Sequence, residues 1–243
     1  MIQLKDLELL QKSVRAISNF ITEGNFRFNE KGISIKAIDP SQIVMVDYCI
    51  PKNLFEKFEI EEPTLAGLDV EELNKVLKRG FSQDLLEMHL EDSQITLILE
   101  SDVKREFKLS LIDVPGEDIE LPKQEFDAVV EINAGILQES LKDASVFGSS
   151  VVLKVNGTDF SLEGKGPQGS LQMDAKTKAK VKHNSGKNQE IVSKYSLSFL
   201  ENIVREASSE KIILLELKNE APMKISYDIS KTRIQFYLAH MLL

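Results

Sequence analysis

The side chains that most often perform catalysis are few and scattered in this 243-residue chain. Its three histidines, His89, His183 and His240, have no partner at the spacing of a metal site. Its single cysteine, Cys49, lies in an apolar run, so we expect it in the core rather than as a nucleophile. Asp39 stands directly before a proline, where aspartate more often starts a turn. These residues predict a protein that is not an enzyme and that uses no metal or cofactor.

Residues 164–169 are glycine-rich and could suggest a phosphate-binding loop. They lack the strand-to-helix context of such a loop and contain Pro167, so we predict a turn instead.

Basic side chains are the remaining candidates for chemistry, and what they could bind is phosphate. The net charge of −9 argues against a nucleic-acid partner, but only the distribution of the charges can decide. Lys75, Lys78 and Arg79 form an i, i+3, i+4 cluster on one side of a predicted helix. The full set of candidate phosphate contacts is Lys5, Lys12, Arg15, Lys75, Lys78, Arg79, Lys142 and Arg205. A solvated helix face is the alternative interpretation, because glutamates lie on the same helices.

The elements that position these cations belong to an internal repeat with one constant offset, the separation of Leu10 from Leu137 along the chain. Residues 7–17 carry an apolar stripe at helical spacing, and residues 134–144 carry its copy. A second helical stripe at 70–77 recurs at 197–204. A predicted hairpin at 26–35 recurs at 153–162, and a closing strand at 107–111 recurs at 234–238. Agreement at this repeat offset over so many elements predicts a duplicated domain.

Each half therefore contains a helix, a run of strands, a second helix and further strands. This order favours an α+β fold in which antiparallel sheet carries two helices on one face. Residues 113–125 hold two prolines and five acids, which is typical of an extended linker. We predict an N-terminal domain at 1–112, the linker at 113–125 and a C-terminal domain at 126–243.

Three segments of the chain resemble a known family. Residues 32–41, Gly-Ile-Ser-Ile-Lys-Ala-Ile-Asp-Pro-Ser, are similar to the segment after the first hairpin of archaeal DNA clamps of the proliferating cell nuclear antigen (PCNA) type. Residues 222–225 and 236–239 look like its C-terminal signature, and the resemblance covers essentially the whole chain. It implies the DNA clamp fold, a ring of three subunits with helices lining the hole. It also implies a sliding clamp that encircles duplex DNA as a processivity factor in replication and repair.

The resemblance implies functions for particular positions. In that family the positions matching Lys75, Lys78, Lys142 and Arg205 face the hole, where contact with phosphate is loose, salt-sensitive and independent of sequence. A strand around 106–111 pairs with the region of 176–182 in the next subunit. Lysines alternating with small residues in that region also suit an edge strand that is guarded by charge. The predicted subunit interface consists of Glu106, Phe107, Lys108, Leu109, Leu111, Lys176, Lys178, Lys180 and Lys182.

A groove for partner peptides is implied beneath the linker. DNA polymerase, clamp loader, flap endonuclease and DNA ligase would each insert a short hydrophobic peptide there. The matching residues are Ile38, Gln42, Met45, Ile119, Leu121, Pro122, Pro222, Tyr237, Leu238 and Ala239. For any single one of these residues, ordinary core is the alternative. One departure is His240, which stands where the family often has a proline and alters the C-terminal side of the groove.

Alternatives stay open at this point. Three copies could close a homotrimer, or the chain could need sister subunits in a heterotrimer. It could also be a clamp-derived scaffold that does not encircle DNA, or a hydrolase or nuclease whose site is spread over loops. The chain becomes charged soon after Met1 and has no apolar run long enough to span a membrane, so we expect a cytoplasmic protein with no membrane partner.

Overall fold

The computed structural model describes residues 1–115, 119–184 and 190–243. The chain divides into two compact units that exchange short segments. The first unit consists of Met1–Pro40, Val46–Glu120 and Ile229–Ile234. The second consists of Ser41–Met45, Leu121–Asp228 and Gln235–Leu243. Residues 116–118 of the predicted linker lie outside the described residues, and the described part of the linker has no helix or strand.

The first unit contains two helices and two groups of antiparallel strands. One sheet has the strand order β5-β1-β7-β8-β9, and a second group has the order β4-β3-β2-β6. The elements are β1 (Ile2–Leu4), α1 (Leu7–Ser18), β2 (Glu23–Asn29), β3 (Gly32–Ile38), β4 (Val44–Pro51), β5 (Lys57–Phe58), β6 (Thr64–Asp69), α2 (Val70–Leu77), β7 (Leu85–Leu90), β8 (Gln94–Glu100) and β9 (Lys104–Ser110).

The second unit repeats this plan. Its strand orders are β14-β10-β16-β17-β18 and β13-β12-β11-β15. The elements are β10 (Ala128–Asn133), α3 (Ala134–Ser145), β11 (Ser150–Asn156), β12 (Asp159–Gly166), β13 (Gly169–Asp174), β14 (Ala179–His183), β15 (Ile191–Ser196), α4 (Leu197–Val204), β16 (Ile212–Leu217), β17 (Met223–Ile229) and β18 (Thr232–Leu238).

The repeat offset is visible in the element bounds themselves. Moving α1 and α2 along the chain by this offset gives the bounds of α3 and α4, and β2, β6 and β7 become β11, β15 and β16 in the same way. Both predicted hairpins form in the expected register, with Phe26 opposite Ile35 and Leu153 opposite Leu162. The prediction of a duplicated α+β domain is therefore confirmed.

All four helices bury one face, and side chains cap the N-terminal ends of α1, α2 and α3. Asp6, Asn133 and Asp69 each accept a hydrogen bond from the backbone N–H three residues later, at 3.1, 3.1 and 2.8 Å. The predicted apolar stripes of α1 and α3 are buried along their whole length. Burial of such a stripe supplies most of the stability of a short helix, since isolated helices of this length are marginal.

One glutamine closes each helix pair. Gln11 Nε2 on α1 donates to the carbonyls of Leu77 and Gly80 at 2.7 and 3.1 Å, at the end of α2. At the corresponding position of α3, Gln138 Nε2 donates to the carbonyls of Val204 and Ala207 at 2.8 and 2.9 Å. The Leu77 and Val204 carbonyls also accept the amides of Gly80 and Ala207 at 3.0 and 3.1 Å, so the glutamine adds a second donor there and supplies a donor to the Gly80 and Ala207 carbonyls beyond the helix. The same contact fixes the C-terminal end of the second helix against the first.

A buried polar network holds the segment Ile229–Ile234 within the first unit. Tyr48 Oη lies 2.5 Å from Ser13 Oγ and 2.8 Å from Thr232 Oγ1, so one hydroxyl group links α1 to β18. Burial raises the pKa of Tyr48 to about 12, so the tyrosine stays neutral. Ser230 Oγ also donates to Asp6 Oδ2 at 2.5 Å. These contacts explain why the short segment Ile229–Ile234 belongs to the first unit.

Two predictions about local structure were wrong. Cys49 is exposed, because β4 alternates and its neighbours Tyr48 and Ile50 take the buried face. Partial desolvation and the nearby Asp47 raise the pKa of its thiol, which disfavours the reactive thiolate. Lys176–Lys178 is a short 3-10 helix rather than part of a strand, and the strand β14 begins only at Ala179.

The predicted turn in the glycine-rich segment is confirmed. Gly166 pairs with Gly169 across β12 and β13, which leaves Pro167 and Gln168 as the two residues of a hairpin turn. No helix among the described residues is long and apolar enough to span a membrane.

Replacing Gln11 with alanine is expected to lower the free energy of unfolding by about 1–3 kcal/mol, because the Gly80 carbonyl loses its side-chain donor and the Leu77 carbonyl keeps only the Gly80 amide. Gln138→Ala is the matched variant in the second unit and should cost a similar amount. Urea denaturation of both variants, with the exposed Gln168→Ala as control, measures the effect. Unchanged unfolding midpoints for both variants would contradict this account of the helix ends.

Candidate functional site

The predicted cations of the first unit lie on, or within two residues of, the helices α1 and α2, which pack against each other. Lys5, Lys75, Lys78 and Arg79 are exposed, whereas Lys12 is half-buried. Three of these lysines have acidic partners: Lys5 with Glu56 at 3.2 Å, Lys12 with Glu8 at 2.7 Å and Lys75 with Glu72 at 2.6 Å. Arg15, the remaining predicted contact in this unit, is half-buried on α1.

Lys78 and Arg79 differ from these lysines, since neither makes an ion pair within the described residues. Together with Lys75 they form the C-terminal end of α2, which we call the α2 cationic end. The hydrogen bond from its ammonium group to Glu72 raises the pKa of Lys75, so its charge is retained at neutral pH. Helix carbonyls with partial negative charge also favour cations at this end of a helix.

The second unit presents fewer cations. Lys142 Nζ is paired with Glu139 at 2.7 Å, and this hydrogen bond raises the pKa of Lys142. Arg205 donates to the side-chain oxygen of Asn202. A shallow cavity of about 340 Å³ separates α3 from α4, and its lining residues are Gln138, Leu141, Lys142, Glu201, Val204 and Arg205. The structure thus places cations on or directly after all four helices, and in both units some of these cations are paired with acids.

A buried carboxylate anchors the loop that follows the α2 cationic end. The side chain of Asp84 is fully buried and accepts hydrogen bonds from Ser101 Oγ at 2.6 Å, from the amide of Phe81 at 2.8 Å and from the Arg105 guanidinium. Arg105 also donates to the carbonyl of Arg79 at 2.6 Å and lies 4.8 Å from the centre of the Phe81 ring. We call these residues the Asp84 anchor.

Electrostatics inside the Asp84 anchor favour the ionised acid. Burial alone would raise the pKa of Asp84, but the hydrogen bonds from Ser101, Phe81 and Arg105, together with the Arg105 charge, outweigh burial and lower it. The Asp84 anchor therefore contains an ion pair between Asp84 and Arg105 at neutral pH. Arg105 also holds the backbone of Arg79 through its hydrogen bond to that carbonyl.

The residues predicted for the peptide groove fall in both units. In the first unit, Ile38 is exposed on β3 and Ile119 is half-buried. Among those in the second unit, Gln42 and Pro122 are exposed, whereas the side chains of Met45, Tyr237 and Leu238 are buried. Leu121, Pro222 and Ala239 are half-buried.

Two hydrogen bonds organise the groove residues of the second unit. The amide of Ala239 donates to the carbonyl of Ile43 at 2.9 Å, which joins the segment Ser41–Met45 to the chain end. Gln124 Nε2 donates to the carbonyl of Pro222 at 2.9 Å. After His240, the amide of Met241 donates to the carbonyl of Lys194 at 2.8 Å.

The predicted interface strands lie at sheet edges. β9, with Glu106, Phe107, Lys108 and Leu109, is the last strand of the five-stranded sheet. Leu111 follows it directly, and its amide donates to the carbonyl of Ser93 at 2.9 Å.

β14, which carries Lys180 and Lys182, is the terminal strand of its sheet, next to β10. A further edge was not expected: β13 ends the four-stranded sheet of the second unit.

The histidines and acids do not assemble into a metal site. Among the described residues, no group of three or more His, Cys, Asp or Glu side chains could hold a metal ion. His89 contacts Glu87, and His183 Nε2 lies 2.7 Å from the carbonyl of Gly157.

Two family models together match almost the whole chain. The model of the proliferating cell nuclear antigen N-terminal domain matches residues 1–121, and that of its C-terminal domain matches residues 120–241. The chain belongs to the proliferating cell nuclear antigen family. The two models meet inside the segment predicted as the linker, in keeping with one PCNA domain for each repeat.

Curated relatives and solved structures agree with this family. The chain is 31% identical to DNA polymerase sliding clamp 1 of Thermococcus kodakarensis, over 93% of this chain and 92% of the relative. It is 29% identical to the DNA polymerase sliding clamp of Methanococcus maripaludis, over 94% of each chain. A PCNA from Thermococcus kodakaraensis has the same fold, with a TM-score of 0.92, 23% identity and 99% of each chain covered. The structure of A. fulgidus PCNA bound to the C-terminal region of FEN-1 gives a TM-score of 0.89 at 25% identity, covering 100% of this chain and 99% of that one.

Sequence reasoning missed the Asp84 anchor and the edge strand β13. Asp84 and Arg105 are separated by 21 residues, and nothing in their local sequence marks them as partners. β13 could have been found, because the predicted turn at 164–169 must be followed by a strand that returns along β12. The glutamine contacts also had a signal, since Gln11 and Gln138 occupy the same position in this PCNA-family repeat.

Asp84→Asn is expected to lower the free energy of unfolding by about 2–3 kcal/mol at pH 7, because Arg105 loses its buried charge partner. The folded-state pKa of Asp84 is lowered, so its stabilising effect is present above the ordinary carboxyl pKa of about 4 and is lost as pH falls toward the folded value. The difference between wild type and variant should therefore shrink below about pH 4. Urea unfolding at pH 7, 5 and 3 measures this, with the exposed Asp92→Asn as control. A difference that stays constant over this range would contradict it.

Proposed function

We propose that this chain is one subunit of a DNA sliding clamp that encircles duplex DNA and tethers replication and repair enzymes to it. The observation that carries the proposal is the match of both repeats, over nearly the whole chain, to the PCNA family. Relatives at about 30% identity are named DNA polymerase sliding clamps. The cations on all four helices supply contacts to phosphate that are independent of sequence, as sliding requires.

The edge strands support a ring of several chains. An open strand edge exposes unpaired backbone groups and favours pairing with another chain, unless charge guards it. β14 is guarded by Lys180 and Lys182, whereas β13 carries one charge, Asp174, and two half-buried apolar side chains, Leu171 and Met173. We therefore assign β13, rather than residues 176–182, as the strand that pairs with β9 of the next subunit. Three copies pairing in this way close a ring.

Light scattering behind a sizing column tests the ring and its interface. We expect a species near three times 27.4 kDa for wild type, and a species near 27.4 kDa for Leu171→Lys, which places a charge on the proposed interface. Val181→Lys on β14 is the matched control and should leave the mass unchanged. A Val181→Lys monomer beside an intact Leu171→Lys trimer would transfer the interface to β14.

The mass of the wild type also separates the proposal from its rivals. A wild type that stays near 27.4 kDa at every concentration excludes a homotrimer. Formation of a ring only on addition of sister subunits would then establish a heterotrimer. A ring that never becomes trapped on end-blocked DNA would leave a clamp-derived scaffold as the function.

Partner enzymes dock through short hydrophobic peptides in the predicted groove. The A. fulgidus PCNA was solved with the C-terminal region of FEN-1 bound, so a flap endonuclease is one expected partner. DNA polymerase, clamp loader and DNA ligase are the others. The half-buried aliphatic Leu121 and the adaptable Met45 suit apolar anchors of such peptides. The clamp itself performs no reaction in this proposal.

Leu121→Ser is expected to weaken binding of a fluorescent peptide from a FEN-1 C-terminal region by about tenfold or more, because a buried apolar anchor loses its partner. Fluorescence anisotropy measures the dissociation constant. Ile212→Ser, which alters an exposed isoleucine on β16, is the control and should bind as wild type does. Equal affinities for wild type and Leu121→Ser would remove the linker from the binding site.

A further inference from the structure

We infer that contact with DNA phosphate is concentrated on the first repeat, at the α2 cationic end, instead of being shared equally by the two repeats. This inference rests on the proposed clamp function and specifies which helices carry it. Three independent features of the chain support it: the charge count of each helix pair, the ion pairs around each cation, and the Asp84 anchor.

The two helix pairs differ in charge when equivalent segments are compared. Residues 5–19 and 69–80 contain six cations and five anions, a net charge of +1. The equivalent segments 132–146 and 196–207 contain two cations and four anions, a net charge of −2. Phosphate binding is driven by lysine and arginine, so the first pair attracts DNA and the second pair does so weakly or repels it.

The difference arises position by position. At the repeat offset, Lys12 is replaced by Glu139, Lys75 by Asn202 and Arg79 by Glu206. Only two cations have a cationic counterpart: Arg15 corresponds to Lys142, and Lys78 to Arg205.

Local ion pairs sharpen the contrast. At the α2 cationic end Lys75 is held by Glu72 at 2.6 Å, whereas Lys78 and Arg79 make no ion pair within the described residues. In the second unit Lys142 is held by Glu139 at 2.7 Å, and Glu201 lines the same shallow cavity as Lys142 and Arg205. A cation that already has an acidic partner gains less from a phosphate, since the pair must first be broken.

The Asp84 anchor is also confined to the first repeat. Its central acid, Asp84, corresponds to Lys211 at the repeat offset, and a lysine there cannot accept the same hydrogen bonds. Arg105 donates to the carbonyl of Arg79, so the backbone at the α2 cationic end is held in place. Preorganisation of this kind lowers the entropy lost when the cations engage phosphate.

The test compares removal of two cations from each repeat at equal total charge. Lys78→Gln/Arg79→Gln is the first-repeat variant, and Lys142→Gln/Arg205→Gln is its matched control. Binding to a short duplex is measured by anisotropy between about 50 and 200 mM salt. The first-repeat variant should lose about tenfold or more in affinity at low salt and reduce the salt slope by about two. The control should lose less than about twofold, with a slope within about half a unit of wild type.

A reciprocal exchange of residues tests the inference by a gain of affinity for duplex DNA as well as by a loss. Glu206→Arg gives the second repeat the arginine that the first repeat has at position 79, and Arg79→Glu makes the opposite change. We expect Glu206→Arg to tighten duplex binding by about threefold or more and Arg79→Glu to weaken it by more than Arg79→Gln does. Equal losses from the two double variants, or a larger loss from the control, would overturn the inference.

Topological trapping separates this inference from the clamp function itself. Wild type is threaded onto linear duplex, the ends are blocked, and retention is followed at high salt, where direct contacts are weak. Wild type that escapes equally fast from blocked and open DNA would refute the clamp function. If wild type is trapped and both double variants lose equal affinity for DNA, only the concentration of phosphate contacts on the first repeat is refuted. The first-repeat variant should remain trapped and trimeric, which shows that its lost affinity is not a lost ring.

Discussion

The positions of the proposed phosphate contacts depend on how the C-terminal ends of the helices are held. A helix end leaves carbonyls without partners within the helix, and in each repeat a single glutamine donates to two carbonyls at or just beyond that end. The contact sets the end of the second helix against the first, where an apolar stripe is already buried. Lys78 and Arg79 follow that end directly. Their position is thus determined by core and capping contacts, while their side chains stay free of the core.

Duplication explains why the two repeats have similar residues at buried positions and different residues at exposed positions. Helix caps, glutamine contacts and hairpin registers recur at the same offset, because a change at any of them exposes a polar group or opens the core. Exposed positions carry no such penalty, so a lysine in one repeat can be a glutamate in the other at little cost to stability. The charge difference between the two helix pairs is therefore compatible with one fold repeated twice.

The difference between buried and exposed positions also decides what could be predicted from the sequence. Apolar spacing with the helical and the strand period, repeated at one offset, was enough to predict all four helices and both hairpins. Cys49 was misplaced because an apolar run hides the alternation at the end of β4, where Tyr48 and Ile50 are buried and Cys49 between them is exposed. Lys176–Lys178 was misplaced because alternating lysines imitate an edge strand. The pairing of Asp84 with Arg105 depends on tertiary contacts, for which local spacing carries no signal.

The edges of the sheets show why one chain alone is incomplete. β14 ends its sheet with lysines that discourage further pairing, whereas β13 ends its sheet with a single acid and two apolar side chains. An unguarded edge in an isolated protein is an aggregation hazard, so its persistence argues that another strand covers it. β9 in the first unit offers seven residues with alternating exposure, against six in β13. A head-to-tail contact between different edges generates a ring whenever the rotation closes, and a ring holds the cationic helix ends around a common axis.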